Sequence, residues 1–564
     1  MEAENRGIYT ILIGMIVAAG MMGGGYFGFA SSFISIIGLL FIFVLLMKNK
    51  KVRIPLCTSA ISVCVFVFMY FVVCLWAVDK GMALMGAFKF FPIAIFLFLI
   101  CQHIEVREKI INLLPMLGSL MTLFSFIMMQ FEIFKPIVSV AGRLAGFFQY
   151  PNTYALCMLI CLIISIWRLD FKKVDWIEII YIILEVFGLY MSGSRIVFGL
   201  TLFTILLIAA MKREKVKTLV TILLALALAG TVLFFTEWGK ELVLRIFGAS
   251  TGFSTLFGRI LYVQDALKLV LKHPFGMGYY GYYFTQQEIQ TGVYSVVNVH
   301  NEMMQTILDI GIIPSLIVWG GIVKSIISSR VDKRNKIILI VILLHSLLDY
   351  DFQFLIMWYV LILFLDIHGI REYKISNFTK MVVSAASCGI IWGTTCIGLS
   401  DWFYVTNNYK TSEKVYEGNT LAKIAQLSEI KSMEKLQKKA EEILEENKYV
   451  AIAYSAKARA LFSEGDIEGF IKNKLTAIQI APYQYEEYTD YLDMLSYCVG
   501  KYSEQKEWAS VKMCIQRAEA VPEMLDATKQ KTSVLGWEIK DKPQLTLSKD
   551  YIELIEQMKE ATNE

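Results

Sequence analysis

Long apolar runs alternate with short polar stretches over the first 400 residues. A helix needs roughly 20 apolar residues to cross the hydrocarbon core of a bilayer. Runs of that kind lie near 8–30, 31–47, 54–77, 81–101, 110–131, 151–167, 174–193, 194–211, 217–236, 301–323, 336–348, 352–367 and 381–399. The run 336–348 is short, and a bare turn at Ser192–Gly193–Ser194 separates two others. The pattern therefore predicts an all-α, polytopic transmembrane bundle of about 12–13 spans. From about residue 410 the chain becomes charged and rich in Ala, Glu, Lys and Leu, which predicts a soluble helical tail. The expected division is a membrane domain over 1–400, with a large loop at 237–300, and a tail over 401–564.

Lys and Arg set the expected orientation, because short cytoplasmic loops carry the excess of them. The even-numbered runs exit into basic loops: Lys48–Arg53, Arg107 and Lys109, Arg168–Lys173, Lys212–Lys217, Lys324–Lys336, and Arg371–Lys380. The odd-numbered exits are poor in them: Val78–Lys80, 132–150, the Ser-Gly-Ser turn, 237–300 and Asp349–Gln353. One topology satisfies both sets, with the N-terminus cytoplasmic and the tail extracytoplasmic.

Composition agrees with lipid as the solvent, since 56% of residues are hydrophobic and only 18% charged, against about 25% charged in soluble proteins. A net charge of +4 is too small at this length to argue for nucleic acid. The ten cysteines form no CxxC pair and no metal-like cluster with histidine. Cys498 and Cys514 share the tail, but their spacing does not favour pairing. The first apolar run is too long for a signal-peptide core and lacks a small-residue cleavage site.

Functional-looking groups gather on the expected outer side. They are Arg143 with Pro151–Asn152, Arg195 after the Ser-Gly-Ser turn, Arg259 and His273 in the long loop, and His300–Asn301–Glu302. An arginine at membrane depth is costly and supports two readings, a site cation or a snorkelling anchor. Lys89, inside the fourth run, has the same two readings, with an internal ion pair as one form of the second. His345 and Asp349 stand i, i+4 at a helix end and are expected on one face. Gly276-Met-Gly278-Tyr-Tyr-Gly281 fits GxGxxG, but no strand precedes it, so the glycines are read as turn-formers.

These segments resemble the O-antigen ligase and polymerase family of bacterial envelope glycan enzymes. The resemblance rests on R-x-x-G-F-F-x-x-P-N at Arg143–Asn152, S-G-S-R ending at Arg195, and G-R-I at Arg259. It continues with H-P-F-G-x-G at His273–Gly278 and H-N…D-x-G at His300–Gly311, and covers roughly 140–365. The stretch from His345 to Phe352 looks like the pattern of Gram-positive members. The resemblance implies a GT-C-like bundle in the bacterial plasma membrane, and an enzyme needing no metal or other cofactor. It implies transfer of a glycan from a polyprenyl diphosphate donor to a glycan, lipid or protein acceptor, with inversion. His300 then takes the position of the general base. Arg195 and Arg259, with Arg143 as a third, take the diphosphate, and Asn301, His345 and Asp349 are supporting positions. The competing reading is a flippase for lipid-linked oligosaccharide, or another secondary transporter. Such proteins place polar groups at mid-bilayer within repeated halves, whereas here the notable charges gather on one face and no repeated halves are found.

In the tail, Ala451–Tyr483 reads as two helices joined at Gly465–Asp466, similar to a tetratricopeptide repeat. A second, degenerate unit is expected over Glu486–Pro522. Tyr483, Tyr485, Tyr488 and Tyr491 are expected to pack the helices together rather than line a groove. Two units are few for a free-standing solenoid, so the tail is expected to dock on the membrane domain and to offer a surface to a protein partner.

Overall fold

The computed structural model describes residues 2–169, 175–211 and 250–560. The expected span 217–236, and positions 237–249 of the long loop, lie outside the described residues. The membrane part is built from α1 (Glu2–Met21), α2 (Gly28–Lys48), α3 (Thr58–Val73), α4 (Lys80–Gln102), α5 (Val106–Met129) and the single turn α6 (Lys135–Val138). Then come α7 (Pro151–Arg168), α8 (Trp176–Ser192), α9 (Arg195–Met211), α10 (Ser250–Lys272) and α11 (Gly281–Ile289). The remainder is α12 (Glu302–Ile310), α13 (Ile312–Ile327), α14 (Lys333–Ser346), α15 (Leu355–Phe364) and α16 (Asn377–Val405).

Among the described residues, five helices are long and apolar enough to cross a membrane: α2, α4, α5, α7 and α16. This is a multi-pass membrane protein, but several expected spans have a different form. The run 301–323 is divided at Gly311, whose φ of +93° breaks it into α12 and α13. The run 352–367 yields α15, ten residues long, or about 15 Å of helix. Every residue of α15 is buried. A short helix that is apolar all round is stable when other helices, not lipid, enclose it. The boundary between the first two runs also moves, from 30/31 to Gly23–Gly25. These three glycines all have positive φ, and an added Cβ on Gly24 would meet Phe354 at 2.7 Å.

Among the described residues, two short ribbons depart from an all-helical chain. β1 (Lys51–Pro55) pairs antiparallel with β4 (Ile370–Lys374), and β2 (Ser139–Val140) with β3 (Arg143–Leu144). The second is closed by Ala141 and Gly142, both at positive φ, as a two-residue hairpin prefers. The first joins two basic loops. Arg107 donates to the carbonyl of Leu363, Arg168 to that of Asn112, and Arg334 pairs with Glu108 at 3.1 Å. The basic segments among the described residues thus share one end of the bundle.

The other end carries the tail. Tyr416 donates to the Gly81 carbonyl at 2.9 Å, Asn447 to Asp79 at 3.1 Å, and the Ser533 N–H to the Thr291 carbonyl at 3.0 Å. Within the tail, helices Ala451–Glu464 and Ile467–Ile480 form a hairpin, with Gly465 at φ +88° and Asp466 capping the second helix. Tyr483, Tyr488 and Tyr491 are buried in the tail core.

Candidate active site

Asp349 is the centre of the polar cluster at the tail-bearing end. It lies in the turn between α14 and α15 and has no exposed surface. An ionised carboxylate offers about four acceptor sites, and here all are taken. Oδ1 accepts from the Tyr150 hydroxyl at 2.5 Å and the Tyr350 N–H at 3.0 Å. Oδ2 accepts from Asn152 Nδ2 at 2.8 Å and Arg259 Nη2 at 3.1 Å. Burial pushes the carboxyl up, but Arg259, then His300 and His345, outweigh it and hold Asp349 below the ordinary carboxylate range.

The sequence delivers these partners through local rules. Pro151 opens α7, where its missing N–H is harmless, and it holds Tyr150 extended. Tyr150 and Asn152 thereby reach Asp349 from the start of one helix. Asn152 also accepts from Arg143 Nη2 at 2.8 Å, while Arg143 Nε donates to the Ser192 carbonyl at 2.6 Å. Arg143 therefore clasps the turn from which α9 starts with Arg195, itself half-buried. On α10 the Arg259 side chain is 10% exposed, and its Nε finds no hydrogen-bond partner among the described residues.

His300 sits beside this cluster with φ +58°, in the left-handed region. A non-glycine residue held there costs about 1–3 kcal/mol, and such strain is concentrated at functional sites. Its Nδ1 is 3.0 Å from the Asn298 carbonyl, and its ring meets Tyr350 edge-on at 4.8 Å. If Nδ1 carries the proton to that carbonyl, Nε2 keeps its lone pair. Burial lowers the His300 pKa, Asp349 raises it and Arg259 lowers it again, leaving it below the ordinary histidine value. Asn301 caps α12 by accepting from the Met304 N–H at 2.8 Å, and donates to the Leu347 carbonyl at 2.8 Å. Glu302 accepts from the Phe352 N–H at 2.7 Å. The His-Asn-Glu run is thereby fastened to the turn that carries Asp349.

The expected shared face of His345 and Asp349 is not found. α14 ends at Ser346, so the i, i+4 relation lapses before Asp349. His345 instead meets Asp351 at 2.5 Å, and Asp351 accepts from Thr153 at 2.8 Å. Tyr150, Asn152, Glu302 and Asp351 are site residues that sequence reasoning left without a role. The signal was present in the Pro-Asn turn and in the carboxylates that buried arginines require.

Gly276 and Gly278, both at positive φ, lie against the end of α12. There the Met277 and Gly278 N–H groups donate to the Leu308 and Asp309 carbonyls. An added Cβ on Gly276 would meet the Asp309 carbonyl oxygen at 2.6 Å. Close backbone approach accounts for these two glycines.

No curated protein and no solved structure matches the chain. A family model described as O-antigen ligase matches residues 180–319, a stretch that contains Arg195, Arg259 and His300 but neither Arg143 nor Asp349.

Proposed function

We propose that this protein is a membrane glycosyltransferase of the O-antigen ligase and polymerase kind. It moves a glycan from a polyprenyl diphosphate onto an acceptor hydroxyl at the extracytoplasmic face, with inversion at the anomeric carbon. The N-terminus is cytoplasmic and the tail extracytoplasmic. The observation that carries the reading is a partly buried histidine, its pKa held below the ordinary value, beside a buried Arg–Asp pair, within and next to the segment that matches the family.

The chemistry follows from those groups. The acceptor oxygen attacks the anomeric carbon while its proton passes to His300 Nε2. The bond from that carbon to the diphosphate oxygen breaks, and its electron pair leaves with the diphosphate. Arg195 and Arg259 meet the growing negative charge, since a planar guanidinium matches phosphate oxygens with paired donors. The unmet Nε of Arg259 is one such donor. Arg143 adds charge to the same patch while holding the Ser192 turn. Asp349 keeps Arg259 in place before substrate arrives, so little reorganisation remains at the moment of reaction. Asn301 fixes the loop of His300, and the His345–Asp351 pair braces the start of α15. The tail, read as tetratricopeptide-like, is the surface for a protein partner.

The test is transfer by purified protein in proteoliposomes supplied with its lipid-linked glycan. His300→Ala is expected to reduce turnover by about 10²–10⁴-fold, the usual worth of a general base. Undiminished product would remove His300 from that role. Movement of the donor across the bilayer without any glycan joined would favour the transporter instead.

A further inference from the structure

Lys89, in the middle of α4, has no part in the mechanism above. Its side chain is among the buried groups at 2% exposure. A buried intramembrane cation is costly and marks a site unless a carboxylate neutralises it. Here the ammonium donates to the Tyr279 hydroxyl at 2.9 Å and lies over the rings of Tyr26 at 4.4 Å, Tyr279 at 4.9 Å and Phe90 at 5.3 Å. Aromatic faces hold the charge by cation–π attraction. An ammonium has three donor protons, and Tyr279 takes one.

The same lysine lines a cavity of about 110 Å³, together with Tyr26, Tyr279, Tyr280, Asp401 and Tyr404. A cavity needs about 10–15 Å³ by this measure to hold even one water, so this space is large enough to be occupied. Asp401, also part of the lining, accepts from the Phe29 N–H at 3.0 Å. A cation and a carboxylate lining one cavity, with tyrosines in the same lining, can donate to one hydroxyl and accept from another. They suit a polyhydroxylated ring whose C–H face stacks on an aromatic one. A phosphate is disfavoured, because Asp401 would repel it.

The wall of the cavity is linked to the active site by a chain of packed aromatic rings. The Tyr26 ring lies 5.2 Å from Phe354, Phe354 lies 6.1 Å from Tyr350, and Tyr350 lies 4.8 Å from His300. The Asn298 side chain, two residues before His300, lies beside the Tyr26 hydroxyl. We infer that the Lys89–Asp401 cavity is an acceptor subsite that binds one sugar ring of the acceptor glycan and so orients its hydroxyl toward His300. The inference rests on the glycosyl-transfer reading.

The probe is the single-repeat oligosaccharide released by mild acid from the carrier lipid of a strain lacking this gene. Its binding to purified full-length protein is followed by saturation-transfer NMR, and its effect on transfer by kinetics with acceptor varied. Lys89→Met, which keeps the aliphatic packing, is expected to weaken binding and raise the acceptor KM about tenfold, as loss of a charged hydrogen bond does, with kcat largely kept. Asp401→Asn, which still accepts from Phe29, is expected to act in the same direction and serves if Lys89→Met does not fold. Wild-type-like binding and KM in folded variants would overturn the subsite, as would failure of the wild type to bind the probe. Binding that depends on Lys89 in a protein that joins no glycan would support the sugar site while removing the transferase reading.

Discussion

The sharpest perturbation available is Asp349→Asn, because it changes charge without changing shape. The carboxylate accepts two bonds at each oxygen, from Tyr150 and Tyr350 on one side and from Asn152 and Arg259 on the other. An amide replaces one acceptor oxygen with a donor. Turned one way, its NH₂ confronts two N–H donors; turned the other, it confronts the Tyr350 N–H, which cannot rotate to accept. At least one buried donor goes unmet in either orientation, at about 1–3 kcal/mol. The guanidinium of Arg259, 10% exposed, is left without its counter-charge. Breaking one side of such a pair costs about 3–5 kcal/mol in all. The expected result is a marked fall in the thermal unfolding midpoint of purified protein, with loss of transfer. Adding Arg259→Met removes the orphaned charge, so the double variant regains most of the stability and none of the activity. A double variant no more stable than Asp349→Asn alone would falsify the claim that Asp349 acts through Arg259.

Other expectations follow from the same geometry. His300 has its pKa held below the ordinary histidine value, so transfer should rise with pH through a limb below about 6.5 and then level off. Because folded His300 binds fewer protons than the unfolded chain, its linked stability is kept above that ordinary value and declines as pH falls through it. Arg259 lowers and Asp349 raises this pKa. Arg259→Met should move the limb of residual activity upward and Asp349→Asn downward, and shifts of equal sign would contradict the arrangement. Arg195→Lys should reduce transfer nearly as far as Arg195→Ala, since a point charge does not reproduce the planar fork; full activity of the lysine variant would exclude paired contacts to diphosphate. Gly24→Ala should destabilise by about 1–3 kcal/mol, from φ +67° and a Cβ 2.7 Å from Phe354, measured as a lowered unfolding midpoint.

Hydropathy made the long spans legible because a bilayer imposes one length on any helix that faces lipid. It could not fix the length of α15. That segment is apolar because protein surrounds it, and burial in protein imposes no length. The same ambiguity concealed the break at Gly311, where the residues on both sides stay apolar while the backbone turns. Basic loops were more informative. The segments at Arg53, Arg107 and Arg334 meet at one end, while Arg143, Arg259 and His300 lie at the other. Arg259 and His300 were legible as charged or polar residues in an unfavourable place. Asp349 was visible, but its placement on the helix face of His345 was misjudged, since helix spacing says nothing once the helix has ended.

That misjudgement has a general physical content. The motifs carrying Arg143, Arg259 and His300 lie well apart along the chain, and each reads alone as one costly group near a membrane. A buried guanidinium is tolerable only where something compensates it, so the informative question is which carboxylate does so. Here it is Asp349, outside the segment that matches the family model. Its four acceptor positions draw together Tyr150 and Asn152 from the start of α7, Arg259 from α10 and the backbone of its own turn. Arg143 and the Ser192 turn are added through Asn152. The arginines can be rigid before any substrate binds because one buried acid fixes the geometry of elements far apart in sequence. For that reason Asp349→Asn should disturb the site more than loss of Arg143, which reaches the acid only through Asn152.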